Sequence, residues 1–227
     1  MLKIEIITFE RKQLSSCCSR FVFAFLLLAK DTSETRARAV TVINNGGVIA
    51  FRTDTFYGLG ADPLNADAVR RIKTLKGREE NKPILLLISD LDQIDRLIQE
   101  PNAYRTIAAK HWPAPLTLIG QARPGLPTEL TAGTNTIGLR LPDDEQVREL
   151  VRTCGGALTA TSANTSGNPP AETAAEVENY FPSGIDLIID GGPALITEPS
   201  TVIDVSGEKP KLVREGAVRR SELAGLL

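Results

Sequence analysis

The sequence predicts an α/β fold. Short, mostly apolar runs bounded by turn residues, such as GVIAF (47–51), ILLLI (84–88) and DLIID (186–190), read as buried strands. Segments with helical apolar spacing and capping residues lie between them. The two kinds alternate along 227 residues that are 42% apolar and 24% charged, enough for one soluble domain with a substantial core.

The elements follow in order. Lys3 to Phe9 alternates as a strand. Residues 10–30 match no standard element. Within them FVFAFLLLA (21–29) is nine apolar residues, too short to span a bilayer as a helix. Glu5 and Glu10 upstream, and no small-x-small site after it, argue against a signal peptide and for a packed helix or strand. Asp31 with Glu34 forms a cap-like pair for a helix ending at Gly46–Gly47. GVIAF is followed by a polar turn, RTDT (52–55), and then FYGLGAD. Asn65 caps a helix through Leu75 that Gly77 stops. After ILLLI, Ser89 or Asp90 opens a helix, and a further helix ends near His111–Trp112, where Pro113 and Pro115 intervene.

LTLIG (116–120) and TIGLRL (136–141) are strands separated by a Pro/Gly-rich loop, and a helix covers 143–153. Gly155–Gly156 lead into ALTAT and the loop SANTSGNPP. A helix over 172–180, the strands DLIID, STVIDV (200–205) and KLVRE (211–215), and a short last helix complete the chain. No repeat or linker divides it. The expected organisation is a strand and extension over 1–30 and one domain over 31–227.

Several function classes are excluded. A net charge of −2 is not that of a general nucleic-acid binder, so any anion site is local. One histidine (His111) and three cysteines (Cys17, Cys18, Cys154), with no C-x-x-C, make neither a zinc site nor a disulfide framework, and they suit a reducing, cytoplasmic setting. There is no G-x-x-x-x-G-K-[ST], no G-x-S-x-G, and GLGAD lacks the third glycine of a dinucleotide fingerprint. His111, at a helix-to-proline junction, reads as structural.

What remains is a scattered polar set at strand ends: RTDT (52–55), KGREENK (76–82), TSAN (161–164), PST (199–201) and Arg214. Ligands of open α/β sheets bind where such loops converge. Lys76, Arg78, Lys82 and Arg214 could neutralise a triphosphate. Ser162, Asn164, Ser200 and Thr201 are short donors that could orient phosphate oxygens or a base. No side-chain nucleophile emerges, so such a site would act by positioning and charge stabilisation. Taken singly, each stretch also reads as ordinary helix-end or turn chemistry.

The order of segments carries more. TDTFYGLGAD, then Lys76-Gly77-Arg78 as K-x-R followed by KP, HWPAPLT, TIGLRLP, then Ser162-Ala163-Asn164 as S-x-N, STVID and LVREG resemble the threonylcarbamoyl-AMP synthase family with the YrdC-like fold, from about residue 34 to the end. The resemblance implies an open, twisted, mixed sheet with flanking helices around a deep cavity. It implies synthesis of L-threonylcarbamoyl-adenylate and pyrophosphate from L-threonine, bicarbonate or CO2, and ATP. The product would serve tRNA threonylcarbamoyladenosine modification through a separate transfer complex.

By motif, Lys76, Arg78, Ser162 and Asn164 correspond to the catalytic set. Lys82, Thr136 and Arg214 join Lys76, Arg78 and Ser162 around ATP, with Mg2+ carried by the phosphates. Thr55, Arg140 and Ser200 would hold threonine, with Arg140 on its carboxylate. Arg52 stands where most members have proline, adding a cation beside that turn, and Leu87 where some have a histidine facing threonine. The additional C-terminal domain of longer members is expected to be absent. The alternative is an RNA-binding or ribosome-maturation module of the same fold without chemistry; the presence of both K-x-R and S-x-N favours the enzyme, with weak RNA binding at most. No membrane association is expected.

Overall fold

The computed structural model describes residues 27–77, 83–223 and 225–227. The strand expected over Lys3 to Phe9, most of the N-terminal extension, and Arg78 and Lys82 lie outside the described residues.

The first described element is an edge strand, β1 (Leu28–Lys30), formed by the end of the apolar run. Helix α1 (Ser33–Asn44) is capped by Thr32, whose Oγ1 accepts from the Thr35 N–H at 3.2 Å. Asp31, expected in that role, instead pairs with Arg36, Nε to Oδ1 at 2.7 Å. Strands β2 (Ile49–Arg52) and β3 (Tyr57–Gly60) form an antiparallel hairpin around the TDT turn. Helix α2 (Ala66–Lys76) is capped by Asn65, whose Oδ1 accepts from Ala68 N–H at 3.1 Å. Gly77 ends it at φ 57°, a left-handed conformation that glycine takes without the Cβ penalty. The helix runs one residue beyond Leu75, which puts Lys76 in its last turn.

Strand β4 (Leu86–Ile88) leads through an Asp90-capped 3-10 turn to α3 (Ile94–Leu97), α4 (Pro101–His111) and β5 (Leu116–Gln121). The Pro/Gly-rich loop after β5 contains a helical turn, α5 (Thr128–Thr131), too short to show in apolar periodicity. Strand β6 (Thr136–Arg140) precedes α6 (Glu145–Thr153), whose cap Asp144 accepts from Gln146 and Val147 N–H. Strands β7 (Ala157–Thr159) and β8 (Thr161–Ser162), helix α7 (Ala174–Tyr180), and strands β9 (Leu187–Asp190), β10 (Thr201–Asp204) and β11 (Lys211–Arg214) follow, and a 3-10 turn lies near the end.

The strands divide between two mixed sheets, ordered β1-β9-β2-β3-β8 and β11-β10-β5-β6-β4-β7. The α/β class is as expected. Alternation along the strands builds two cores. Leu86 and Ile88 face the larger one with Tyr57, Leu59 and Ile72. Leu87 faces the smaller, with Phe51, Val147 and Leu158. Each fully buried aliphatic or aromatic side chain contributes roughly 1.5–3 kcal/mol.

The chain passes from one sheet to the other in a single residue. Ala160 separates β7 of the six-stranded sheet from β8 of the five-stranded one. Its N–H donates to Leu85 C=O at 2.9 Å, and the Thr159 N–H donates to Ala61 C=O at 3.1 Å. The seam between the sheets is where the polar loops gather.

Candidate active site

A cleft of about 220 Å3 lies on this seam. Thr55, Arg140, Ser162, Ser200 and Arg214, far apart in sequence, all line it. Each sits at a strand end or beside one: Thr55 in the β2–β3 turn, Arg140 last in β6, Ser162 last in β8, Ser200 just before β10, and Arg214 last in β11. A roomier groove of about 650 Å3 between α1 and α6 has its charged groups already paired, Arg36 with Asp31 and Glu149 with Arg152.

Behind Ser162 is a clasp between α2 and the loop after β8, whose Lys76 and Asn164 are buried and do not themselves line the cleft. The Lys76 ammonium donates to the Ser162 carbonyl, to Asn164 C=O at 2.7 Å and to Asn164 Oδ1 at 3.3 Å. The Asn164 amide turns the other way, donating to Asn168 C=O at 2.6 Å and Thr165 C=O at 3.1 Å. Ser166 N–H closes the clasp on Lys76 C=O at 2.9 Å. The K-x-R and S-x-N motifs therefore meet directly through Lys76, and the helix end presents a cation where the loop carrying Ser162 begins.

One end of the cleft belongs to Arg140. Its guanidinium is surrounded by the TDT turn: Nη1 donates to Thr55 Oγ1 at 3.4 Å and Nη2 to Thr53 Oγ1 at 3.5 Å, while Nη2 lies 3.0 Å from Asp54 Oδ1. Thr53 Oγ1 also donates to Phe56 C=O at 2.7 Å, which holds the turn. Burial pushes the Asp54 carboxyl up, against the opposing pull of Arg140. Thr53 and Asp54 were legible only as turn residues; their partner is a strand end of the other sheet, which no local pattern reveals.

Arg214 stands over the third side. Its Nη2 donates to Ser200 C=O at 2.7 Å and its Nε to the same oxygen at 3.2 Å. Ser200 Oγ lies 3.0 Å from Thr117 Oγ1. Partial burial and the neighbouring Arg140 charge draw the Arg214 guanidinium below its ordinary range. Two guanidinium groups close enough to feel each other form a site for an anion. Thr201, expected as a possible donor, is spent inside the fold, where its hydroxyl donates to Val218 C=O and accepts from Gly216 N–H. A Cβ on Gly216 would lie 2.1 Å from Pro199 C=O, so the glycine of LVREG is what lets that turn close on PST.

The remaining expectations fall as follows. Thr136 begins β6, on the order of 13 Å along the strand from Arg140, and is not among the cleft-lining residues. The β4–β6 register pairs Leu86 with Leu139 and Leu87 with Arg140, and just before it the Ile84 N–H donates to Leu130 C=O at 3.2 Å. Arg52 adds no free cation to the turn: its Nη2 pairs with Asp144 Oδ2 at 2.9 Å, both about a tenth exposed. Leu87 lies level with Arg140 but is buried in the smaller core. His111 ends α4 and does not line the cleft. Cys154 is buried, and its thiol is pushed up to about 11 by desolvation, so it is no nucleophile.

Comparison with known proteins agrees with this fold. The Sua5/YciO/YrdC family model, described as "Telomere recombination", matches residues 41–216. The threonylcarbamoyl-AMP synthase of Bacillus subtilis is 35% identical over 193 residues, covering 84% of this chain and 56% of that protein. The Idiomarina loihiensis protein of the same name is 38% identical, covering 77% of this chain and 93% of that one. Among solved structures, Pyrococcus abyssi Sua5 complexed with L-threonine superposes with a TM-score of 0.82 at 33% identity, over 89% of this chain and 60% of that one. The chain thus spans a little over half of some longer relatives and nearly all of a shorter one. With the matched segment and these identities, the chain belongs to the Sua5/YciO/YrdC family.

Proposed function

We propose that this protein makes L-threonylcarbamoyl-adenylate. The observation that carries the reading is the convergence of Ser162, Arg140, Ser200 and Arg214 on one cleft, with Lys76 buried behind Ser162. L-threonine would lie at the Arg140 end, its carboxylate on the guanidinium and its hydroxyl near Thr55 and Ser200. ATP would extend from Arg214 and Ser162 past Lys76 towards Thr136, with Arg78 and Lys82 reaching its phosphates. Bicarbonate supplies the carbon between them.

The chemistry is consistent with a cleft of donors and no nucleophile. The threonine amine and bicarbonate form a carbamate with loss of water. A carbamate oxygen attacks the α-phosphorus of ATP, the bond to the β-phosphate oxygen breaks, and pyrophosphate leaves. The protein's part is to hold three reactants together and to stabilise charge developing on phosphate oxygens.

No three His, Cys, Asp or Glu side chains cluster as a metal cage among the described residues. The cleft's own groups are cations and neutral donors, so Mg2+ fits there as part of the nucleotide, held by phosphate oxygens and water. Bound in that way it would offset part of the triphosphate charge. The same reading places the product's use in tRNA modification, through a separate transfer complex in the cytoplasm. No described helix is long and apolar enough to cross a membrane.

The test is pyrophosphate release from ATP, omitting L-threonine or bicarbonate in turn. Release requiring both is expected. Release independent of threonine, or none from folded, ATP-binding protein, would overturn the reading and leave the RNA-binding module, for which salt-dependent RNA affinity is the check.

A further inference from the structure

Asp54 is the least satisfied polar group beside the cleft. Its side chain is 2% exposed, and neither carboxylate oxygen has a well-aligned hydrogen-bond partner, although Oδ1 lies 3.0 Å from Arg140 Nη2 and the backbone amides of Asp54 and Asp143 favour the charged carboxylate. Charges this close attract, but the groups are not aligned as a hydrogen bond. Arg140 Nε is also buried without a partner. Buried polar groups are nearly always hydrogen-bonded, and a buried carboxylate without well-aligned partners carries a desolvation cost that calls for a reason.

The geometry points to Asp54 as the positioning residue for the amino-acid carboxylate anchor, holding the Arg140 guanidinium by charge while leaving its donors to the ligand. This deepens the proposed function and rests on its assignment of Arg140.

Three observations carry it. Asp54 belongs to the β2–β3 turn of the five-stranded sheet and Arg140 to β6 of the six-stranded sheet, so the pair is a clamp across the seam. Asp54 does not line the cleft whereas Arg140 does, so the carboxylate stands behind the guanidinium and acts only through it. A fully aligned two-toothed pair would have consumed two of the guanidinium donors. Here Nη1 has only its long 3.4 Å contact with Thr55, leaving capacity for a carboxylate entering from the cleft. The negative charge also matters because Arg214 faces the same space. Two guanidinium groups repel, and Asp54 keeps one of them in place when no anion is bound.

The test is isothermal titration of L-threonine and, separately, ATP into the full chain, using wild type, Asp54→Asn, Arg140→Lys and the double variant. Asp54→Asn is expected to weaken L-threonine at least about tenfold and leave ATP within about twofold. In the Arg140→Lys background it should cost nothing further, since it acts through that guanidinium. In turnover, Asp54→Asn should raise KM for threonine about tenfold and leave KM for ATP unchanged. The preference for L-threonine over L-threoninol, which lacks the carboxylate, should shrink by the same factor.

Wild type that binds threonine, with Asp54→Asn equal to it or additive with Arg140→Lys, overturns the role of Asp54 and spares the proposed function. Wild type that binds no threonine overturns both. Should Asp54→Asn lose ATP binding as well, Asp54→Ser, which leaves room for a water beside the guanidinium, is read in the same way. Loss of both ligands in each variant would mean a folding role and overturn the proposal.

Discussion

Lys76 and Arg140 are both 4% exposed, and they are held in opposite ways. The Lys76 ammonium donates to the carbonyl oxygens of Ser162 and Asn164, in a loop that is itself closed by Asn164. Arg140 faces a carboxylate and two hydroxyls across the seam, at long or misaligned distances, with Nε unused. The clasp is preassembled. The Arg140 end is balanced in charge and unfinished in hydrogen bonding. The three Lys76 donors are taken by protein acceptors, so the clasp fixes the segment that carries Ser162, whereas the unfinished end suits a ligand that brings the missing acceptors.

That contrast is open to breakage. Removing the clasp should have the largest effect: Lys76→Ala is expected to cut pyrophosphate release by about 100-fold or more. It also orphans the Ser162 and Asn164 acceptors, for a stability loss of about 1–3 kcal/mol measured by urea unfolding. Turnover within a few-fold of wild type would show the clasp to be scaffolding alone. Next comes Arg140→Ala, which should raise the threonine requirement about 100-fold with ATP affinity little changed. An unchanged threonine dependence would dissolve the distinction between the clasp and the Arg140 end.

Arg214→Ala should cost less, about tenfold in kcat/KM, because that residue lies at the exposed edge of the cleft and serves as one of several donors. The smallest expected effect lies outside the cleft, at Cys154. Its native thiol is pushed up to about 11 from an ordinary 9.0, so the unfolded thiol ionises first as pH rises. Stability should fall between pH 9 and 11, and Cys154→Ala should flatten that part of the profile. A steeper fall in the variant would contradict the burial effect.

Much of this was legible locally. Asn65 and Gly77 mark both ends of α2 because capping is a matter of a few neighbouring residues. The strands over ILLLI and LTLIG follow from apolar runs, and the K-x-R and S-x-N segments were recognisable in order. Other features were not. Thr32 displaced Asp31 as the cap of α1 because Arg36, one helical turn on, captured the carboxylate. Arg52 read as an added cation until the α6 cap Asp144 neutralised it. Asp54 looked like turn chemistry, since TDT occupies a tight hairpin connection.

The sequence by itself determined the α/β class, the Asn65 and Gly77 ends of α2 and the apolar strand runs. These depend on propensities and periodicities that act within a turn or a strand. Only the tertiary structure decided that two sheets meet at Ala160, that Lys76 closes on Asn164, and that Asp54 stands behind Arg140. Those pairings depend on strand order and register, which are set by how whole sheets bury their faces against each other, and no single segment carries that information.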